Sequence, residues 1–167
     1  MIINQRSMLL HRPIKNMLST KERAHGVSHG LSEAGYDIRI KQEILFWQRL
    51  YPSGYHRDIL IDGKFAGNGR FIIASAIEEF DMPDNLVGIV HDKSTWARQG
   101  LSVFNTVIEP GWQGFLTLEL VYHGEGDLYI PAGAGIAQVV FSMTSDKIEY
   151  AGKYQNQADE PVGAIAS

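Results

Sequence analysis

The sequence contains no cysteine. That absence excludes a disulfide scaffold and every thiolate metal site. A basic field is missing too: with a formal net charge of −4, nothing draws in a nucleic acid, and a phosphate-bearing partner would be a free nucleotide. Long hydrophobic runs are absent, and residues 1–25 hold only short ones with no h-region, so no membrane is expected and the cytoplasm is the expected location. Internal repeats and low-complexity linkers are also lacking. What remains is ordinary for a globular protein, 44% hydrophobic and 20% charged over 167 residues, a length that fits one domain, 1–167.

Short apolar runs separated by turn signals dominate the chain. Glu43 to Trp47, Arg57 to Ile61, Phe71 to Ala76, Leu86 to Val90, Asp127 to Ile130 and Ile136 to Phe141 each read as a strand. Asp62-Gly63 is a two-residue hairpin signal, and Pro52-Ser53-Gly54 reads as a turn. Residues 1–25 predict a helical turn or two and are suited to subunit contacts. His25 to Ser32, rich in Gly and Ser, predicts a loop. In Tyr36 to Ile40 the alternation sets Asp37 and Arg39 on one face, where they are expected to pair with each other. The acidic residues Glu78, Glu79, Asp81 and Asp84 predict a solvated turn after a buried strand. With almost no long helix, the pattern indicates an all-β fold, a sandwich or distorted barrel with short helical turns.

The chemistry concentrates between His91 and Val121. Ser94 or Thr95 is placed to cap a short helix that Gly100 ends, with Lys93 and Arg98 flanking the hydroxyls. Such a helix start suits a phosphate, although the same residues also make an ordinary capped turn. Glu109 to Gly114 forms a tight loop whose Trp112 either stacks on a ligand or packs beneath the loop. From Phe115 to Val121 the residues alternate, and Glu119 is the single acid on its face, set among Phe115, Thr117 and Val121. A carboxylate in apolar surroundings has its pKa pushed upward and suits a general base, whereas on an edge strand it would simply be solvated. Gln138 is the one large polar residue of an apolar strand and needs partners.

Five stretches together resemble the dCTP deaminase and dUTPase superfamily. Ala34-Gly35-Tyr36-Asp37-Ile38, Lys93-Ser94-Thr95-Trp96-Ala97, Val107 through Gly114 and Gly135-Ile136-Ala137-Gln138 are similar to its four successive motifs, and Gly152 to Gln157 to the C-terminal segment of the deaminase branch. Leu118-Glu119-Leu120 resembles the deaminase strand, where dUTPases have no acid. The resemblance implies a jelly-roll-like dUTPase-type fold, a homotrimer with shared sites, and zinc-independent deamination of dCTP to dUTP and ammonia. Zinc-dependent cytidine deaminases need two Cys ligands, so His123-Gly124-Glu125, although it spells their H-x-E, reads as a turn.

By the same resemblance Glu119 activates the water that attacks C4, with Arg98 and Ser94 beside it as catalytic residues. Lys93, Ser94 and Thr95 hold phosphates. Glu109, Trp112, Thr117, Leu118, Gln138, Tyr150, Lys153 and Gln157 complete the implied substrate-binding set, and residues 150–167 form a lid. Mg2+ arrives with the triphosphate, the protein itself ligates no metal, and dTTP is an implied inhibitor. Glu109 stands where the family more usually has Asp. The extra methylene moves the carboxylate by roughly an ångström, given C–C bonds of about 1.5 Å, which counts against an in-line hydrolytic attack. Thr106-Val107 also lacks the basic residues of one deaminase subgroup. The alternatives are a bifunctional enzyme that releases dUMP and a silent nucleotide-binding trimer.

Overall fold

The computed structural model describes residues 1–104 and 106–166. In chain order the elements are β1 (Ile2–Ile3), α1 (Gln5–His11), β2 (Lys21–Ala24), β3 (Val27–Leu31), β4 (Tyr36–Arg39), β5 (Ile44–Tyr51), β6 (Gly54–Ile61) and β7 (Lys64–Asn68). They continue with β8 (Phe71–Asp81), β9 (Leu86–Asp92), α2 (Ser94–Ala97), β10 (Leu101–Val103), β11 (Val107–Ile108), β12 (Gln113–Tyr122), β13 (Leu128–Ile130) and β14 (Gly135–Met143).

The strands make three sheets. The first runs β11-β9-β14-β4-β3-β2, with β1 added along β14; the second is β10-β12-β8 and the third β13-β5-β6-β7. All strand pairings are antiparallel, and the sheets stack rather than close into a barrel. One hydrophobic cluster joins them: Ile38, Val139 and Phe141 come from the first, Leu118 and Leu120 from the second, Phe46 and Ile59 from the third. Burying each such side chain contributes roughly 1.5–3 kcal/mol. Tyr36 lies in this core, its hydroxyl accepting from the Leu18 N–H, and burial pushes its pKa upward.

Local sequence explains much of this. Asp62 and Gly63 take φ values of 49° and 72°, the left-handed pair that a tight hairpin needs, and Ile61 pairs with Lys64 across them. α1 supplies the helix expected near the N-terminus. Other expectations are corrected. His25 to Ser32 is not a loop but a hairpin turn leading into β3, because Val27, His29 and Leu31 are buried. Asp37 and Arg39 do not pair with each other, since each has its own partner on a distant strand or loop. The acidic stretch is no solvated turn either: Glu78, Glu79 and Asp81 lie on β8, and buried Glu78 accepts from both Arg39 Nε and Arg39 N at 2.8 Å.

Candidate active site

β12 and β8 build the floor of the site. Alternation turns Leu116, Leu118 and Leu120 into the core and leaves Thr117 and Glu119 half-buried on the other face. Opposite them on β8, Glu119 pairs with Ile73, Thr117 with Ser75 and Val121 with Phe71. The register slips between Phe115 and Thr117, a bulge of the kind that re-aims side chains beside functional sites. Above this floor is a cavity of about 510 Å3, bounded by Phe71, Ile73, Glu109, Trp112, Thr117 and Glu119. Its wall is largely apolar. Among the described residues the Glu119 carboxylate has no hydrogen-bond or ion-pair partner within the chain, so it is available to a ligand.

The C-terminal segment covers the cavity. Gln157 Nε2 donates to Thr117 Oγ1, and the Val162 N–H donates to the same oxygen at 3.0 Å. Phe115 N donates to Gln157 O at 3.1 Å, and Gln157 forms a parallel bridge with Gly114. Only glycine fits at 114: its φ is +128°, and a Cβ there would lie 2.5 Å from the Gln157 nitrogen. Trp112 Nε1 donates to Tyr154 O at 2.7 Å, and its ring packs against Phe80 with centroids 5.9 Å apart. Trp112 therefore packs beneath the loop, and at 5% exposure it contributes an edge to the cavity rather than a free stacking face. Lys41 Nζ pairs with Asp159 Oδ2 at 2.6 Å and ties the segment to the β4–β5 connection.

α2 lies elsewhere. It is a single turn, anchored by buried Trp96, whose Nε1 donates to Gly135 O at 2.6 Å. Lys93, not Ser94 or Thr95, is its N-cap residue, and no side chain caps it, so the hydroxyls of Ser94 and Thr95 face outward. Arg98 is likewise exposed. Lys93 Nζ meets Asp37 Oδ2 at 2.5 Å, and Ser28 Oγ donates to the same carboxylate oxygen at 3.2 Å. Asp37 Oδ1 is buried and has no partner among the described residues.

The structure thus gathers Glu109, Trp112, Thr117, Glu119, Tyr150 and Gln157 around one cavity. It does not bring Lys93, Ser94, Thr95 or Arg98 to the lining of that cavity within one protomer. Leu118 has its side chain in the core at 1% exposure, so only its backbone is placed near a ligand. Gln138 Nε2 donates to Ser32 Oγ at 2.8 Å, and exposed Lys153 donates to Ile165 O at 2.5 Å. Among the described residues, no group of three or more His, Asp or Glu is placed to hold a metal ion. Sequence reasoning missed Phe71, Ile73, Thr106, Tyr154 and Val162 as lining. Phe71 and Ile73 were within reach, because they are the alternate residues of the strand that pairs with Glu119; Tyr154 and Val162 carry no periodic signal.

Comparison with known proteins agrees with this architecture. The dCTP deaminase-like family model matches residues 11–144. The dCTP deaminase of Chlamydia pneumoniae is 36% identical over 145 residues, covering 78% of this chain and 76% of its own length. That of Campylobacter jejuni is 36% identical over 147 residues, 78% of each chain. Among solved structures, a mutant dUTPase of Staphylococcus bacteriophage 80alpha with dUpNHpp superposes with a TM-score of 0.52 at 15% identity, covering 92% of this chain and 95% of that one. At that identity the likeness speaks for the fold, which is dUTPase-like. Among the described residues, no helix is long and apolar enough to cross a membrane.

Proposed function

The chain belongs to the dCTP deaminase-like family, and from that premise we propose that it converts dCTP and water to dUTP and ammonia without zinc. The observation that carries this reading is the Glu119 carboxylate, unpartnered among the described residues, on the wall of a nucleotide-sized cavity. Glu119 takes a proton from water as the oxygen attacks C4 of the cytosine ring. The tetrahedral intermediate then receives that proton on its exocyclic nitrogen, and the C–N bond breaks to release ammonia. A positioned acid/base of this kind supplies roughly 10² to 10⁴ in rate. The apolar lining from Phe71, Ile73 and Leu116 excludes bulk water, and the closed tail residues 150–166 act as the lid. The absence of cysteine supports the zinc-free route.

The triphosphate, entering as its Mg2+ salt, needs cations that the cavity itself lacks. We assign them to α2 of a neighbouring copy: in a homotrimer, the partner subunit's Ser94 and the partner subunit's Arg98 complete the cavity, with Lys93 and Thr95 at the phosphates. The exposure of Ser94, Thr95 and Arg98 supports this assignment. Glu109 lines the same cavity, and this favours one second reading, in which the enzyme also hydrolyses the triphosphate and releases dUMP. Incubation of the purified protein with dCTP and Mg2+, with products resolved by anion exchange, separates the two. Accumulating dUTP supports deamination alone, direct appearance of dUMP replaces it with the bifunctional reading, and unchanged dCTP overturns both. dTTP, which differs from the product by one methyl group, is the first inhibitor to try in the same assay.

A further inference from the structure

A second cavity, of about 570 Å3, opens where the β5–β6 hairpin runs past the core, and its lining includes Gln48, Tyr55, His56, Arg57, Arg70 and Glu125. The deamination chemistry uses none of them. Two guanidinium groups meet here, and both are held in place by backbone carbonyls of the segment following β12. Arg57 Nη2 donates to Gly124 O at 2.6 Å, and Arg70 Nη1 donates to His123 O at 3.2 Å. Arg57 also stacks over Tyr122, 4.7 Å from the ring centroid.

These arginines differ from the two that are held by carboxylates. Arg39 is paired with Glu78 and Arg49 with Asp58, whereas Arg57 and Arg70 have no carboxylate within ion-pair distance among the described residues. Arg57 Nε is buried and has no acceptor among the described residues. A guanidinium offers five donors, and each of these has one recorded bond to a carbonyl. Two arginines fixed in advance, with donors to spare, suit a tetrahedral oxyanion that accepts several charge-assisted bonds. Glu125, exposed at the rim, is the one acid of the lining and works against an anion; Gln48 and Tyr55 add neutral donors.

We propose that this cavity binds a phosphate group, either inorganic phosphate or the phosphate of a nucleotide, separately from the Glu119 site. The two sites adjoin along the chain without sharing a strand. Arg70 precedes Phe71, which lines the Glu119 cavity, and the His123 N–H donates to Gly100 O at 2.7 Å, just beyond Arg98.

Calorimetric titration of the full chain with inorganic phosphate and, separately, with dTMP tests the proposal, using Arg70→Gln and Ser94→Ala as variants. Arg70→Gln is expected to weaken phosphate binding by at least about tenfold, the usual effect of losing a charge-assisted bond. Ser94→Ala is expected to leave that binding class intact. Equal weakening of phosphate and dTMP by Arg70→Gln assigns the site to phosphate itself, and a further loss with Tyr55→Ala for dTMP alone assigns it to a nucleotide. Phosphate binding that is unchanged in Arg70→Gln, or abolished by Ser94→Ala, overturns the proposal, provided that an unaltered melting temperature shows the variants folded.

Discussion

The Glu119 cavity and the α2 turn are furnished in opposite ways. The cavity has depth, an apolar lining, a free carboxylate and a covering tail, yet no cation among the residues that line it. α2 has an exposed Arg98 and outward hydroxyls, yet no cavity of its own, and its remaining cation is tied to Asp37. Each holds what the other lacks. A base reacts best where water is excluded, whereas a triphosphate needs charged donors at an open surface. The chain provides both environments by putting the carboxylate on β12 and the exposed cation on the short turn that links β9 to β10.

Breaking the cavity side should give the largest effect. Glu119→Gln is expected to lower kcat for dCTP by roughly 10² to 10⁴ while leaving the affinity for dCTP near wild type, as read by steady-state kinetics beside a binding titration. A loss of binding with kcat intact would reverse the roles assigned to the two regions. Arg98→Ala, on the other side, is expected to reduce kcat/KM by roughly 10- to 100-fold through loss of a charge-assisted contact.

The next effect sharpens how α2 is held. Asp37→Asn removes the carboxylate that fixes Lys93, and a several-fold rise in KM with kcat little changed is the expected result. A variant with unchanged KM would make the Lys93–Asp37 pair purely structural. Smallest of all is Lys41→Ala at the tail's clasp. The pair is exposed, 41% and 49% at the two side chains, so a stability change below about 1 kcal/mol is expected by thermal melting.

How much of this was legible in the residues depended on range. Alternation in Phe115 to Val121 set Glu119 and Thr117 on one face and the leucines on the other, and the structure agrees. Asp62-Gly63 announced its hairpin through backbone sterics alone. The partner of Asp37 was not legible, because Lys93 lies 56 residues away and reaches it only through sheet topology. Nearest-neighbour reasoning offered Arg39 instead. The tail carries no periodicity because backbone bonds to Gln113 and Phe115, with isolated side-chain contacts at Gln157 and Asp159, hold it, and neither leaves a repeating pattern. For Trp112 the residue types allowed both roles, and the Tyr154 carbonyl that decides between them lies 42 residues on.

The division of one site between two regions is tested most directly by mixing. Glu119→Gln and Arg98→Ala proteins, each impaired by roughly tenfold or more, are denatured together in equal amounts, refolded and assayed for dCTP deamination. If the cavity of one subunit is completed by α2 of another, activity returns to about a quarter of wild type, because random assembly gives that share of sites with both residues intact. No recovery, in mixtures shown by mass spectrometry to contain mixed oligomers, would contradict the account and return Glu119 and Arg98 to a single protomer.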